Sequence, residues 1–246
     1  MKIAEGVEAL DLPMQFAGNA STIYPLVVWD DGGTVTLVDT GVPGLLDAFK
    51  QKLSTIGLDL KKVRRIILTH QDIDHIGSAA ALKEATGAEV MAHADDRPYI
   101  EGEKPLVKMN PERMRKMLES APAKDRERME TMFSNPPRVK VDRLLRDGEV
   151  LPIHGGITII HTPGHTPGHI SLFLQGARLL VSGDALRVEE GVLVGPAPGA
   201  TPDMKQAVAS LKKLIALPVD RVLCYHGGLS GPNQVARIKE LSEAAV

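Results

Sequence analysis

The chain has 246 residues, 43% of them hydrophobic, a length and composition that support one large core in a single α/β domain spanning residues 1–246. A formal net charge of −2 leaves no basic footprint for a nucleic-acid partner. One cysteine excludes an internal disulfide, no run approaches the roughly 18 apolar residues of a membrane span, and Met1-Lys2-Ile3-Ala4-Glu5-Gly6 carries no apolar signal segment, so a cytoplasmic protein without a membrane partner is expected.

Residues 22–29 and 34–39 read as a β-hairpin across Asp30-Asp31-Gly32-Gly33, a good turn sequence. A helix over 44–56 follows. Arg65-Ile66-Ile67-Leu68 is an apolar run bounded by polar residues, hence a buried strand, and a helix over 77–85, which Gly87 can terminate, leads to a strand over 88–93. Residues 95–137 then break the β pattern. This insertion is helical in composition and holds five of the nine methionines: Met109, Met114, Met117, Met129 and Met132. Methionine is flexible and polarizable, so the cluster suits either a two-helix core contact or a lid whose Met114 and Met117 touch substrate. Strands at 157–161, 169–175, 178–183 and 219–225 follow, with a helix opened by Thr201-Pro202 that places Pro at its first position. A terminal helix begins near residue 232.

The candidate chemistry sits at strand ends. Leu68-Thr69-His70-Gln71-Asp72-Ile73-Asp74-His75 brings two imidazoles and two carboxylates to the end of one strand. Such a group titrates or repels unless a cation compensates it, although Asp72 or Asp74 capping the next helix is the simpler alternative. Ile157-Thr158-Ile159-Ile160-His161 feeds Thr162-Pro163-Gly164-His165-Thr166-Pro167-Gly168-His169, where two Pro-Gly turns stiffen the loop carrying His165. A third strand ends in Ser182-Gly183-Asp184 and a fourth in Tyr225-His226-Gly227.

With Leu37-Val38-Asp39-Thr40-Gly41 these segments resemble, in order, the five motifs of the metallo-β-lactamase fold superfamily of metal-dependent hydrolases. The resemblance spans residues 37–228 and implies a four-layered αββα sandwich. It implies two divalent transition-metal ions: His70 and His165 bind the first, Asp74, His75 and His226 the second, and Asp184 bridges them. Most relatives have His where this chain has Asp72; a carboxylate can still ligate but is harder, which shifts preference from Zn toward Mn or Fe. Asp39 is expected to hold the ligand histidines in orientation or to shape the following turn. His169 is expected to support the site without ligating, and Asp74 to orient the attacking hydroxide as well as ligate.

His93, His154 and His161 read as surface or packing residues, and Cys224 as a small core residue. A small-molecule substrate is expected, and a homodimer is compatible with this reading. The leading reading is an ester or lactone hydrolase. A thioesterase of the glyoxalase II type follows it, since those enzymes carry an extra helical C-terminal region, whereas this chain keeps only one short helix after His226. An iron-dependent sulfur oxygenase, a promiscuous β-lactamase and a non-catalytic metal-binding protein on the same fold are the remaining alternatives.

Overall fold

A computed structural model of the chain describes residues 1–16 and 19–244. The chain opens with β1 (Lys2–Ala4), β2 (Val7–Ala9), β3 (Leu12–Phe16), β4 (Asn19–Ile23), β5 (Leu26–Trp29) and β6 (Val35–Val38). Helix α1 (Leu46–Thr55) leads to β7 (Val63–Ile67), α2 (Ile73–Ile76), α3 (Ala79–Thr86) and β8 (Glu89–His93). The insertion holds α4 (Arg97–Ile100), α5 (Pro111–Ser120) and α6 (Ala123–Ser134). The second half runs through β9 (Arg143–Leu145), β10 (Val150–Leu151), β11 (Ile157–His161), β12 (Ile170–Leu174), β13 (Leu179–Val181), β14 (Arg187–Glu189) and β15 (Val192–Val194). It closes with α7 (Met204–Ser210), α8 (Lys212–Ile215), β16 (Arg221–Cys224), β17 (Gly228–Ser230) and α9 (Val235–Ser242).

Two mixed sheets dominate, ordered β1-β2-β5-β6-β7-β8-β9 and β10-β11-β12-β13-β16-β17. Between them Leu26, Val28, Val38, Ile67 and Met91 from the first sheet pack on Ile157, Ile159, Leu172, Leu174, Val181 and Leu223 from the second. Neighbouring positions point the other way: Val27, Leu37, Ile66 and Val90 meet Phe49 and Leu53 of α1 and Leu82 of α3. On the far side Ile160, Phe173, Leu180 and Val222 meet Leu211, Leu214 and Ile238. Period-two alternation thus sends successive apolar residues of one strand to different layers, and burying each Leu, Ile or Phe side chain contributes about 1.5–3 kcal/mol. The result is the αββα sandwich. No helix of the described residues is long and apolar enough to cross a membrane.

Some boundaries differ from those read from the sequence. The expected strand over 22–29 is divided, because Pro25 has no N–H to donate: residues before it pair in the β3–β4 ribbon, and those after it pair with β6. Thr201-Pro202 does not open a helix. Asp203 is the cap, accepting from Gln206 N at 2.8 Å, so α7 starts two residues later. Asp72 stands at the N-cap position of α2 with an extended backbone yet makes no side-chain capping bond. Gly87 ends α3 with φ 69° in the left-handed region, as the sequence led us to expect.

One close approach fixes the exit from α2. A Cβ on Gly77 would lie 2.4 Å from both Pro43 N and Val42 C, backbone atoms of the loop after β6. Gly77→Ala should therefore destabilise the fold by about 1–3 kcal/mol through overpacking, with Tm falling roughly 2–4 °C per kcal/mol in a chain of this size. Thermal denaturation checks this; an unchanged Tm would show that the 42–43 loop moves aside freely.

Candidate metal centre

The side chains that converge here leave the C-terminal ends of strands that face one another across the two sheets. His70 follows β7, Asp184 follows β13 and His226 follows β16, while His165 lies on the turn between β11 and β12. Loops at the carboxyl ends of parallel strands open on the same edge, which is where α/β folds place ligand sites. Helix α2 carries Asp74 and His75 back toward that edge within one turn.

Two groups of ligand-type side chains form. His70, Asp72, His165 and Asp184 make the first, and Asp74, His75 and His226 the second. In the first, Asp72 Oδ2 lies 3.3 Å from His70 Nε2 and 3.1 Å from His165 Nε2, and His165 Nε2 lies 3.2 Å from Asp184 Oδ2. In the second, His226 Nε2 lies 3.2 Å from Asp74 Oδ2, and the wider edge from His75 Nε2 to Asp74 Oδ2 is 4.0 Å. Asp184 spans both, with Oδ1 at 3.2 Å from His75 Nε2 and Oδ2 at 3.5 Å from His226 Nε2. Donors about 2.0–2.1 Å from a tetrahedral ion stand roughly 3.3 Å apart, the spacing found here. Moreover His70 Nε2, His75 Nε2 and Asp184 Oδ1 are buried and make no hydrogen bond among the described residues. Orphaned acceptors of this kind are costly without a partner, and a cation is the partner that fits.

The electrostatics agree. Burial opposes ionisation of all three carboxylates, but nearby positive groups outweigh it. Lys108 and His70 hold Asp72 well below the usual carboxylate range, His75 and His226 hold Asp74 below it, and His226, His75 and His165 hold Asp184 well below it. Burial likewise opposes charging of the histidines, yet Asp39 and Asp184 raise His75 well above its ordinary value, and Asp184 and Asp74 raise His226 to about 10. The donor set is a concentrated negative field that draws in positive charge.

A hydrogen-bonded frame aims these donors. Asp39, held at φ 63°, accepts from Thr69 N and Thr69 Oγ1 at 2.8 Å each, and its Oδ2 lies 2.9 Å from His75 Nδ1. Thr69 Oγ1 gives its one proton to Asp39, so at 3.0 Å it accepts from His70 Nδ1–H. Both rings therefore carry their proton on Nδ1 and present Nε2 to the site, the usual carboxylate-backed arrangement of ligand histidines. His165 Nδ1 pairs with Thr201 Oγ1 at 3.1 Å, to the same effect. His169 is used up differently. Its Nε2 accepts from Asp184 N at 3.0 Å and its Nδ1 pairs with Thr162 Oγ1 at 2.9 Å, so it fixes the Asp184 backbone with neither nitrogen left to ligate. Tyr225 packs on His75 with ring centroids 3.8 Å apart and planes tilted by 33°, and its hydroxyl donates to Asp74 O at 2.5 Å.

Two residues of this site give no signal in sequence spacing. Asp96 is fully buried at the start of the insertion, and its carboxylate accepts from Gln71 N at 2.9 Å, Gln71 Nε2 at 3.0 Å, Thr166 Oγ1 at 2.7 Å and Gly168 N at 2.7 Å. It thereby ties the His70 loop to the His165 loop. A Cβ on Gly168 would stand 2.4 Å from Asp96 N, which explains glycine in that second Pro-Gly turn. Lys108 is the other: its ammonium contacts Asp72 Oδ2 and lies 2.5 Å from His165 Nε2. Both reach the site across the fold from segments that look like ordinary loop.

Beside these ligand-type residues a cavity of about 110 Å³ is lined by Asp72, Asp74, Lys108 and Arg113 on its polar side. Leu106, Met109, Met114, Met117 and Phe133 line it on the apolar side. Met114 and Met117 also pack against Ala121, Met129 and Phe133, so they serve a small insertion core and the cavity wall together. His93, Asp95 and His161 form a third group, but the two rings are stacked at 4.0 Å with planes 12° apart, which sends their in-plane lone pairs along parallel lines and not to one point. His154 bonds Trp29 O at 3.1 Å, far from the centre. Burial pushes the Cys224 thiol up to about 12, which removes it as a nucleophile.

The chain is 28% identical to the probable metallo-hydrolase YflN of Bacillus subtilis, over 97% of this chain and 90% of that protein. It is 28% identical to the hydroxyacylglutathione hydrolase GloC of Haemophilus influenzae over 59% of this chain and 58% of that one. The crystal structure of metallo-beta-lactamase family protein TTHA1429 from Thermus thermophilus superposes with a TM-score of 0.72 at 25% identity, covering 98% of this chain and 79% of that one. A metallo-beta-lactamase from Pontibacter korlensis, at 15% identity and TM-score 0.69, covers 100% of this chain and 98% of its own and shares the fold. The family model of the metallo-beta-lactamase superfamily matches residues 20–226, and with the five motifs and the αββα sandwich in place, the chain belongs to that superfamily of metallo-hydrolases.

Proposed function

We propose that the protein is a dinuclear metal-dependent hydrolase that opens an ester or lactone carbonyl. The observation that carries this reading is the pair of donor groups sharing Asp184, set against an apolar cavity. His70, Asp72, His165 and Asp184 would hold one divalent cation, and Asp74, His75, His226 and Asp184 the other. When bound, such a pair supplies Lewis-acid polarisation of a carbonyl oxygen and ionises water near neutral pH. Zn suits the imidazoles, while Asp72 adds weight to Mn or Fe.

The chain's own residues do the rest. Asp74 lines the cavity and is only partly buried, so its carboxylate is the group best placed to orient the attacking water and to carry its proton toward the leaving oxygen. Met109, Met114, Met117 and Phe133 take the acyl side of the substrate and exclude water from it. Lys108 and Arg113 at the polar edge favour a substrate with an acceptor or a negative group near the reacting carbonyl. No cysteine or Ser-His-Asp arrangement is needed.

A thioester is the second reading, favoured by the hydroxyacylglutathione hydrolases among the similar proteins. A panel of lactone, carboxylic ester, thioester, phosphodiester and β-lactam substrates separates the two, with the metal-reconstituted protein expected to turn over lactones or oxygen esters fastest. Thioester turnover exceeding both would reverse the order. A single bound iron with oxidation of a sulfur substrate would replace hydrolysis by oxygenase chemistry.

Asp96→Asn tests the frame. It keeps the volume of the side chain but loses acceptor capacity for four donors, and it should weaken metal affinity about 10- to 100-fold, the usual effect of removing a group that orients ligands. Chelator competition reads this directly; an unchanged affinity with a lower Tm would reduce Asp96 to a purely structural role.

Replacing Met114 and Met117 together with Ser should raise KM for acyl substrates while leaving metal content intact, by about 0.8 kcal/mol, or roughly fourfold, for each methylene that reaches the cavity wall. A Tm loss with KM independent of chain length would mean that these methionines serve the insertion core alone.

A further inference from the structure

Lys108 stands apart from the other basic residues among those described. Its side chain is 11% exposed, and its ammonium contacts Asp72 Oδ2 and lies 2.5 Å from His165 Nε2, two atoms that are themselves 3.1 Å apart. His165 has its Nδ1 engaged with Thr201 Oγ1. An ammonium can only donate, so the Nε2 it meets offers one lone pair in the ring plane, which an ammonium N–H or a metal can use, but not both. The second donor group has no such guest: among the described residues the ion pairs of Asp74 and Asp184 are with histidines alone.

The residue that receives the lysine is a carboxylate inside the ligand-type string His70-Gln71-Asp72-Ile73-Asp74-His75. A carboxylate at position 72 can pair with an ammonium, whereas a neutral imidazole there would accept a single hydrogen bond and no charge. Lys108 is also tied to the ligand loop through its neighbour, since Val107 N donates to Gln71 Oε1 at 2.7 Å. Leu106 and Met109 on either side line the cavity.

We propose that Lys108 is a tethered competitor for the first cation position, so that its ammonium and a metal held by His70, Asp72, His165 and Asp184 exclude one another. The proposal rests on the dinuclear reading of the site. The second position loads first, with the lysine in place. Loading of the first position displaces Lys108 and moves residues 106–109, which couples metal occupancy to the shape of the cavity wall.

Titration of the metal-free full chain with Co(II), followed by its visible absorption and by chelator competition, tests this on the wild type, Lys108→Met and Lys108→Gln. The wild type should show one tight and one weaker equivalent, separated at least tenfold. Both variants should tighten the weaker step at least tenfold and leave the tight one unchanged. Hydrogen exchange at residues 106–109 of the wild type should rise with the second equivalent and not with the first, a readout that stands even if a variant fails to fold. Two distinct steps that neither variant alters, or exchange at 106–109 that ignores the second equivalent, overturns the role of Lys108 and leaves the dinuclear reading intact. A chain that takes up no more than one equivalent, in the variants as in the wild type, overturns the dinuclear reading and the proposal together.

Discussion

The architecture answers to one electrostatic demand. Asp72, Asp74 and Asp184 face one another across a small cleft with His70, His75, His165 and His226 between them, and no carboxylate of the three can be ionised and dry without positive charge beside it. Everything near the cleft serves that demand in one of two ways. Some groups supply positive charge or lean toward it, as Lys108 does and as His75 and His165 do with their raised affinity for a proton. Others hold the donors in place, as Thr69 does for His70, Thr201 for His165, Tyr225 for the Asp74 backbone and the His169 ring for the Asp184 backbone. The layered core beneath is stiff because its strands are apolar on both faces, and the donors hang from the ends of those strands.

Much of the fold was legible because its signals are local. The apolar runs ending in His70, Asp184 and His226 announce both a buried strand and the side chain delivered at its end, and Gly87 announces a helix stop through its left-handed backbone. What escaped has nonlocal causes. Pro25 divides a run that looks continuous, and its effect depends on which strand needed the missing N–H. The start of α7 is the exception, a local signal passed over, since Asp203 caps the helix by accepting from Gln206 N three residues on. Short strands such as β1, β2 and β17 carry too few residues to show a period and exist because a sheet edge accepts them.

The same division runs through the site. The seven ligand-type residues lie in recognisable strings, and the structure brings all seven together. Asp96 and Lys108 lie in no string. Asp96 meets partners 25 and 72 residues away, and Lys108 meets partners 36 and 57 residues away, so only the closed fold reveals them. In the insertion, whose methionines leave a lid and a small core open as readings, Met114 and Met117 line the cavity beside Asp72 and Asp74 and also pack on Met129 and Phe133.

The place of Asp96 in the chain has an evolutionary corollary. It precedes α4, so the group that fastens the two ligand loops together is already spent before the insertion's helices begin. Helices α5 and α6 can then be lengthened, exchanged or recombined without loosening the loops that hold the donors. A lineage with this arrangement can try new cavity walls on an unaltered set of donors, and a protein engineer could graft foreign helices in place of α5 and α6 on the same principle, provided that the flanking Leu106, Val107, Lys108, Val139 and Val141, which pack or bond into the body of the fold, are kept.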